Sequence, residues 1–231
     1  MRQVVLDTET TGLDPETGDR IVEIGAVEIR NHAVTGRVYH QYINPERDMP
    51  PEAEQIHGLS ENFLSGYPAF HIIATEFLDF IEDSPLVIHN AAFDLRFLDS
   101  ELTRAGLSPI GADRAIDTLL LARKKFPGAS VSLDALCRRF SIDNSVRGKH
   151  GALLDSELLA KVYLELIGER QPGLTLTQAS SRPRTSTESG GWTPGSRTKN
   201  LHPRITELEK QSHNLMIKSL GGTAIWHKRR S

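Results

Sequence analysis

The chain has one cysteine in 231 residues, so no intrachain disulfide can form and the fold must rest on packing and hydrogen bonds. That residue, Cys137, lies in the apolar pattern Leu133, Leu136, Cys137, Phe140 and reads as a small buried side chain, not a nucleophile. No run is apolar enough to cross a bilayer. The N-terminus enters a strand-like segment almost at once, without the charged, apolar and small-residue regions of a secretory leader, so a cytoplasmic setting is expected. Excess positive charge is missing from most of the chain: residues 1–170 hold seventeen Lys and Arg against twenty-seven Asp and Glu. Such an acidic body does not hold duplex DNA by electrostatics alone, and any nucleic acid must be gripped through metal ions and a local pocket. From Gln171 onward the sign reverses, with ten cations against three anions.

What is present suffices for one compact domain of roughly 150 to 200 residues, with chain left over. Residues 2–7 read as a first strand, Ile21 to Ile29 as a second and Val38 to Ile43 as a third, stopped by Asn44-Pro45. Short turns between them predict an antiparallel meander. From Pro68 the spacing becomes helical, with Phe70, Ile73, Ala74, Phe77, Leu78 and Ile81, and Leu86-Val87-Ile88 follows as a short buried strand. Phe93, Phe97, Leu98 and Leu102 form the next helical stripe, closed by Gly106 and Pro109. Ile116 to Lys125, Leu133 to Phe140 and Gly151 to Ile167 read as further helices. Strands first, then strands alternating with helices, predict an α/β mixed sheet flanked by helices.

The stretch Val4-Val5-Leu6-Asp7-Thr8-Glu9-Thr10-Thr11-Gly12-Leu13 organises the rest. Two carboxylates at i and i+2 of a strand share one face, here near a glycine-containing turn. They repel each other unless a divalent cation sits between them, and oxygen-rich sites of this kind suit Mg²⁺ or Mn²⁺. Asn90-Ala91-Ala92-Phe93-Asp94 follows the buried strand; read locally, Asn90 is a helix cap and Asp94 occupies the favourable first turn. His150-Gly151-Ala152-Leu153-Leu154-Asp155 places a histidine in the approach to a helix and an acid upon it. Asp117 and Asp134 read as helix-start residues outside any site.

Asp-Thr-Glu-Thr-Thr-Gly-Leu, Asn-x-x-Phe-Asp and His-x-x-x-x-Asp, in this order and context, resemble the DEDD superfamily of 3′-5′ exonucleases, in the subclass that uses histidine. Over almost all of residues 1–168 the resemblance narrows to the family of epsilon proofreading subunits of bacterial DNA polymerase III. Ile24-Gly25-Ala26-Val27-Glu28, Val87-Ile88-His89-Asn90, Ser132 to Cys137 and Ile142 to Ser145 carry it. The resemblance implies an RNase H-like fold, a mixed five-stranded sheet flanked by helices, over residues 1–170. It also implies metal-dependent release of nucleoside 5′-monophosphates from a DNA 3′ end. Two divalent ions about 3.5 to 4 Å apart can generate the attacking hydroxide and stabilise the leaving oxygen. By analogy Asp7 bridges both ions, Glu9 and Asp155 hold the one that carries water, Asp94 holds the second, and His150 is the general base. In Pro51 to Gly58 the residues alone predict only a short helix ending at Gly58. The resemblance adds Glu52, Ile56 and His57 as contacts to the terminal nucleotide, beside Asp7, Glu9 and Asp155. A relative with the same site that trims RNA or single-stranded DNA, and a binding module that only grips 3′ ends, stay open as alternatives.

After Gly168 the pattern changes. Gln171, Leu174 and Leu176 have the Gln-x-x-Leu-x-Leu form of peptides that dock on the bacterial sliding clamp. Residues 177–202, rich in Ser, Thr, Gly and Pro, read as a flexible linker. Residues 203–231 regain apolar periodicity, with a short helix expected from Ile205 to Leu220 and Ile225-Trp226 as an anchor. The resemblance makes this segment a tail that binds the polymerase catalytic (alpha) subunit. It leaves open a small theta-like third subunit.

Overall fold

The computed structural model describes residues 1–145, 149–168 and 205–220. The chain falls into two compact units, Met1–Leu176 and Thr177–Ser231. In the first, β1 (Arg2–Thr10), β2 (Ile21–Arg30) and β3 (Ala33–Tyr42) form the expected antiparallel meander. On the other side of β1 lie β4 (Leu86–Ile88) and then β5 (Ala115–Asp117), both parallel to it. The sheet therefore has five strands in the order β3-β2-β1-β4-β5.

Period-two alternation along β1 sorts its side chains onto two faces. Val4 and Leu6 join Ile24 and Ala26 against helices α3 (Phe70–Ile81) and α4 (Ala91–Arg104), where Phe77 and Phe97 are fully buried. Val5 and Val27 face the opposite way onto Leu159 and Tyr163 of a long helix, Ala152–Ile167. Each such apolar side chain stabilises the fold by about 1.5–3 kcal/mol. Asp7 and Glu9 continue the Val5 face, so the alternation that builds this core also points both acids under the long helix.

Three expectations need correction. β3 begins at Ala33, not Val38; residues 33–37 lie exposed on an edge strand and so lack the apolar alternation that marks a half-buried one. A two-residue turn of Asn31 and His32, with φ of 49° and 65°, makes the hairpin, a backbone usually signalled by Asn-Gly. Ile116 and Asp117 belong to β5 and not to a helix, because a three-residue strand is too short to show a period. The helix that follows, Thr118–Lys125, starts on the Asp117 carboxylate, which accepts from Leu119 N at 2.8 Å and Leu120 N at 3.3 Å. A helical turn at Glu61–Leu64 was not expected either; the Ser60 hydroxyl accepts from Phe63 N at 3.2 Å and caps it.

In chain order the short helix Pro51–His57 is α1, Glu61–Leu64 is α2, Thr118–Lys125 is α5, Leu133–Arg139 is α6 and Ala152–Ile167 is α7. Helix α7 crosses the sheet at Gly25. A Cβ built there would stand 2.2 Å from the Ala152 carbonyl carbon and from Leu153 N. The Gly25 carbonyl accepts from Ser156 Oγ at 2.8 Å, which seats the first turns of α7 directly on β2. On the opposite face Arg20 Nε and Nη2 donate to the two Glu101 oxygens at 2.6 and 2.9 Å, tying the start of β2 to α4. Cys137 is buried, as its pattern predicts.

The second unit contributes one described helix, α8 (Glu207–Ser219), opened by a reciprocal capping box between Thr206 and Glu209. Ile205, Leu208, Leu215 and Leu220 are exposed. The clamp-type peptide 171–176, the linker 177–202 and the end of the tail from 221 lie outside the described residues. Among the described residues no helix is long and apolar enough to cross a membrane.

Candidate active site

Four local structures converge at one end of β1. Thr8, between the two acids, donates its N–H and hydroxyl to the same Asp94 oxygen, at 3.1 and 2.7 Å. Asp94 stands in the first turn of α4 and is 3% exposed. The start of α4 is held by a residue whose part was not legible. Asn90 occupies the cap position in the left-handed region (φ 68°), but its side chain makes no capping bond. Instead Asp117 reaches across from β5 and accepts from Asn90 N and Ala91 N at 3.2 and 3.3 Å. One carboxylate thus caps α5 and anchors α4, and so positions Asp94.

From the opposite side α7 brings Asp155 in its first turn, 2% exposed. His150 precedes the helix, half exposed, with Nδ1 3.3 Å from Asp155 Oδ2. Its backbone N–H donates to the Ile56 carbonyl at 3.2 Å, which links this approach to α1. A cavity of about 300 Å³ is lined by Asp7, Glu9, Asp94, His150 and Asp155 together. Glu9, His150 and Asp155 each place one ligand atom within 4.8 Å of the others. Asp134, read as a helix-start residue, is indeed in the first turn of α6, yet it also lines this cavity, as does His89.

The electrostatics suit a cation. No Lys or Arg is among the described residues that line the cavity, against five acids. Burial pushes the Asp94 carboxyl up to about 7, with the Asp117 charge adding to it, while the Thr8 hydrogen bonds pull it down. A carboxylate so placed is costly to ionise unless a positive charge arrives. Carboxylate oxygens with a single imidazole beside them fit Mg²⁺ or Mn²⁺ better than a soft metal.

Next to this cavity, and sharing Thr8, Glu9 and Phe93 with it, lies a cleft of about 500 Å³ lined by Leu13, Glu52, Ile56 and His57. Helix α1 supplies the last three and ends as expected on Gly58, φ 79°. Ile56 is 55% exposed, whereas His57 is buried. The His57 Nδ1 accepts from Leu59 N at 3.0 Å, so the neutral ring carries its proton on Nε2. That Nε2 is buried, with the Thr10 backbone as its hydrogen-bonding neighbour. Burial also holds the His57 pKa below the usual imidazole range, which keeps the ring neutral.

Comparison with known proteins identifies the family. A family model described as Exonuclease (RNase_T) matches residues 4–163. The DNA polymerase III subunit epsilon of Rickettsia felis is 56% identical over 183 residues, 78% of this chain and 80% of that one. The same subunit of Salmonella typhimurium is 41% identical over 239 residues, 97% of each chain. Among solved structures, Exonuclease X in complex with 5′ overhanging duplex DNA is 26% identical, with 71% of this chain and 90% of that one covered at a TM-score of 0.56. The nuclease domain of 3′hExo, a DEDDh family member bound to rAMP, shares the fold at a TM-score of 0.60 and 16% identity over 72% of this chain and 91% of that one. The chain belongs to the DEDDh exonucleases, in the family of DNA polymerase III epsilon subunits.

Proposed function

We propose that this exonuclease removes mispaired nucleotides from DNA 3′ ends as the proofreading subunit of a replicative polymerase. The observation that carries the reading is the convergence of Asp7, Glu9, Asp94, Asp155 and His150 in one cavity beside a cleft of nucleotide size. Asp7, Glu9 and Asp155 would hold one divalent ion, and Asp7 with Asp94 would hold a second. Bound there, such ions acidify water and neutralise charge that accumulates on the phosphoryl oxygens.

The protein's own groups do the rest. Asp155 beside Nδ1 favours the His150 tautomer that carries its proton on that nitrogen, which makes Nε2 the nitrogen that takes a proton from the attacking water. A half-exposed ring ahead of α7 has room to close over the site once substrate is in place. In the cleft, which all three line, Ile56 wedges between bases while Glu52 and His57 contact the terminal nucleotide. Contacts of this kind tolerate any base, so selectivity arises from fraying: an unpaired end costs less to draw into a single-strand site. The tail 203–231 tethers the enzyme to the polymerase catalytic subunit and Gln171, Leu174 and Leu176 dock on the clamp. Both raise the effective concentration at the primer end without a rigid interface.

Digestion of a 5′-labelled primer with a paired or a mispaired 3′ end tests this reading. Stepwise shortening in Mg²⁺ or Mn²⁺ that EDTA abolishes, and that runs faster on the mispair, is expected. Equal rates on both ends, or attack on RNA alone, would replace proofreading with the trimming of free strands.

A further inference from the structure

Helices α5 and α6 end side by side in a cluster of positive charge. Arg123, Lys124 and Lys125 fill the last turn of α5, and Arg138 and Arg139 the last turn of α6. All five are exposed. The two ends are joined by aromatic packing: the Phe126 ring lies 5.9 Å from Phe140, and the Arg139 guanidinium sits 4.4 Å over it. Between Thr118 and Phe140 five cations accompany a single acid, Asp134, in a domain whose balance is otherwise strongly negative.

Two of the five have structural work. Lys125 Nζ donates to the Glu165 and Leu166 carbonyls at the end of α7, at 3.2 and 2.6 Å, and Arg139 is stacked on Phe126. Arg123, Lys124 and Arg138 form no salt bridge among the described residues. Helix capping alone explains a cation in a last turn, but not three unpaired ones on adjoining helix ends.

The cluster starts where the catalytic cavity stops. The cavity-lining His89 pairs with Thr118 at the head of α5, Nδ1 to Oγ1 at 2.9 Å. Burial first, and the Arg123 charge with it, lowers the His89 pKa, so Arg123 is near enough to act on the cavity wall. Arg138 follows Asp134, another lining residue, by four positions, which places both on one flank of α6 about 6 Å apart along its axis. The acidic cavity repels a phosphodiester chain, so cations beyond its rim must supply the long-range attraction.

The geometry points to a second nucleic-acid contact, resting on the exonuclease reading above: Arg123, Lys124 and Arg138 hold backbone phosphates of the DNA beyond its terminal nucleotide. Affinity for polymer and chemistry at the end are then divided between two surfaces. Kinetics of wild type and an Arg123→Gln/Lys124→Gln/Arg138→Gln variant on a long single-stranded oligonucleotide and on a dinucleotide, across a salt series, test this. For the variant on the long strand, KM is expected to rise roughly tenfold at low salt. The slope of log KM against log salt should fall by about 2, at about 0.7 per single-strand phosphate contact. Its kcat, and both constants on the dinucleotide, should match wild type. An unchanged KM and salt slope on the long strand, or an equal loss on the dinucleotide, would overturn the contact. If wild type cleaves neither substrate, the exonuclease reading itself fails, a result distinct from wild-type cleavage of both with no effect of the variant.

Discussion

Replacing His150 by alanine is expected to lower kcat by roughly 10²–10⁴-fold, the usual contribution of a positioned general base, while leaving divalent-ion and DNA binding near wild type. The expectation follows from position. His150 lies outside the helix that carries Asp155, half exposed, with Nδ1 3.3 Å from that carboxylate. That contact orients the ring so that it presents the other nitrogen to the cavity. The same histidine falls within the ligand-spaced group formed with Glu9 and Asp155, so a role as metal ligand makes a different forecast. As a ligand, its loss would weaken Mn²⁺ binding as strongly as it lowers turnover. Measuring kcat together with Mn²⁺ affinity separates the two, and an unimpaired kcat would remove His150 from the chemistry altogether.

Gly25→Ala is expected to have the largest effect of any change outside the acidic cavity. Gly25 pairs directly with Asp7 across the β1–β2 ladder and lies under the first turn of α7. A methyl group 2.2 Å from the helix backbone has no flexible side chain to push aside, so α7 must lift away from the sheet. Overpacking of this kind costs about 1–3 kcal/mol and occasionally more. The lift also carries Asp155 away from Asp7 and Glu9, and displacement of about 1 Å can cost roughly 10²-fold in rate. Thermal unfolding and kcat should both fall. A variant with native stability and native kcat would show that the close approach at Gly25 does not position the site.

The division between what is legible in the sequence and what is not follows the range of the interactions. Asp7 and Glu9 announce themselves because strand alternation is local, whereas Asp94 and Asp155 read locally as acids at a helix start and become site residues only through the resemblance of the three motifs. The pattern Val4 to Leu13 and the helix stripes suffice for a mixed sheet. The fifth strand does not show, since Ala115–Asp117 carries no period, and neither does the early start of β3 on an exposed edge. The bonds that fix the geometry join distant residues: Thr8 to Asp94, Arg20 to Glu101 and Asp117 to the start of α4. Each side chain looks locally like a solvated surface group or a cap, and only the folded topology pairs them. Asp117 is the clearest instance. Its helix-start role is readable from Thr118 to Lys125, but its second task 27 residues away at Asn90 is not. His57 stands out only through resemblance; alone it ends a short helix, and its place in the wall of the cleft is visible only in the fold.

The central claim, that the carboxylates of one cavity hold a pair of divalent ions, is tested most directly by counting Mn²⁺ bound at equilibrium in the presence of a nucleoside 5′-monophosphate. The account predicts two ions per chain, as a two-metal hydrolase requires, with both weakened by Asp7→Ala because the proposed role of that residue is to touch both. Saturation at one ion, or two ions whose affinity Asp7→Ala leaves unchanged, would contradict it.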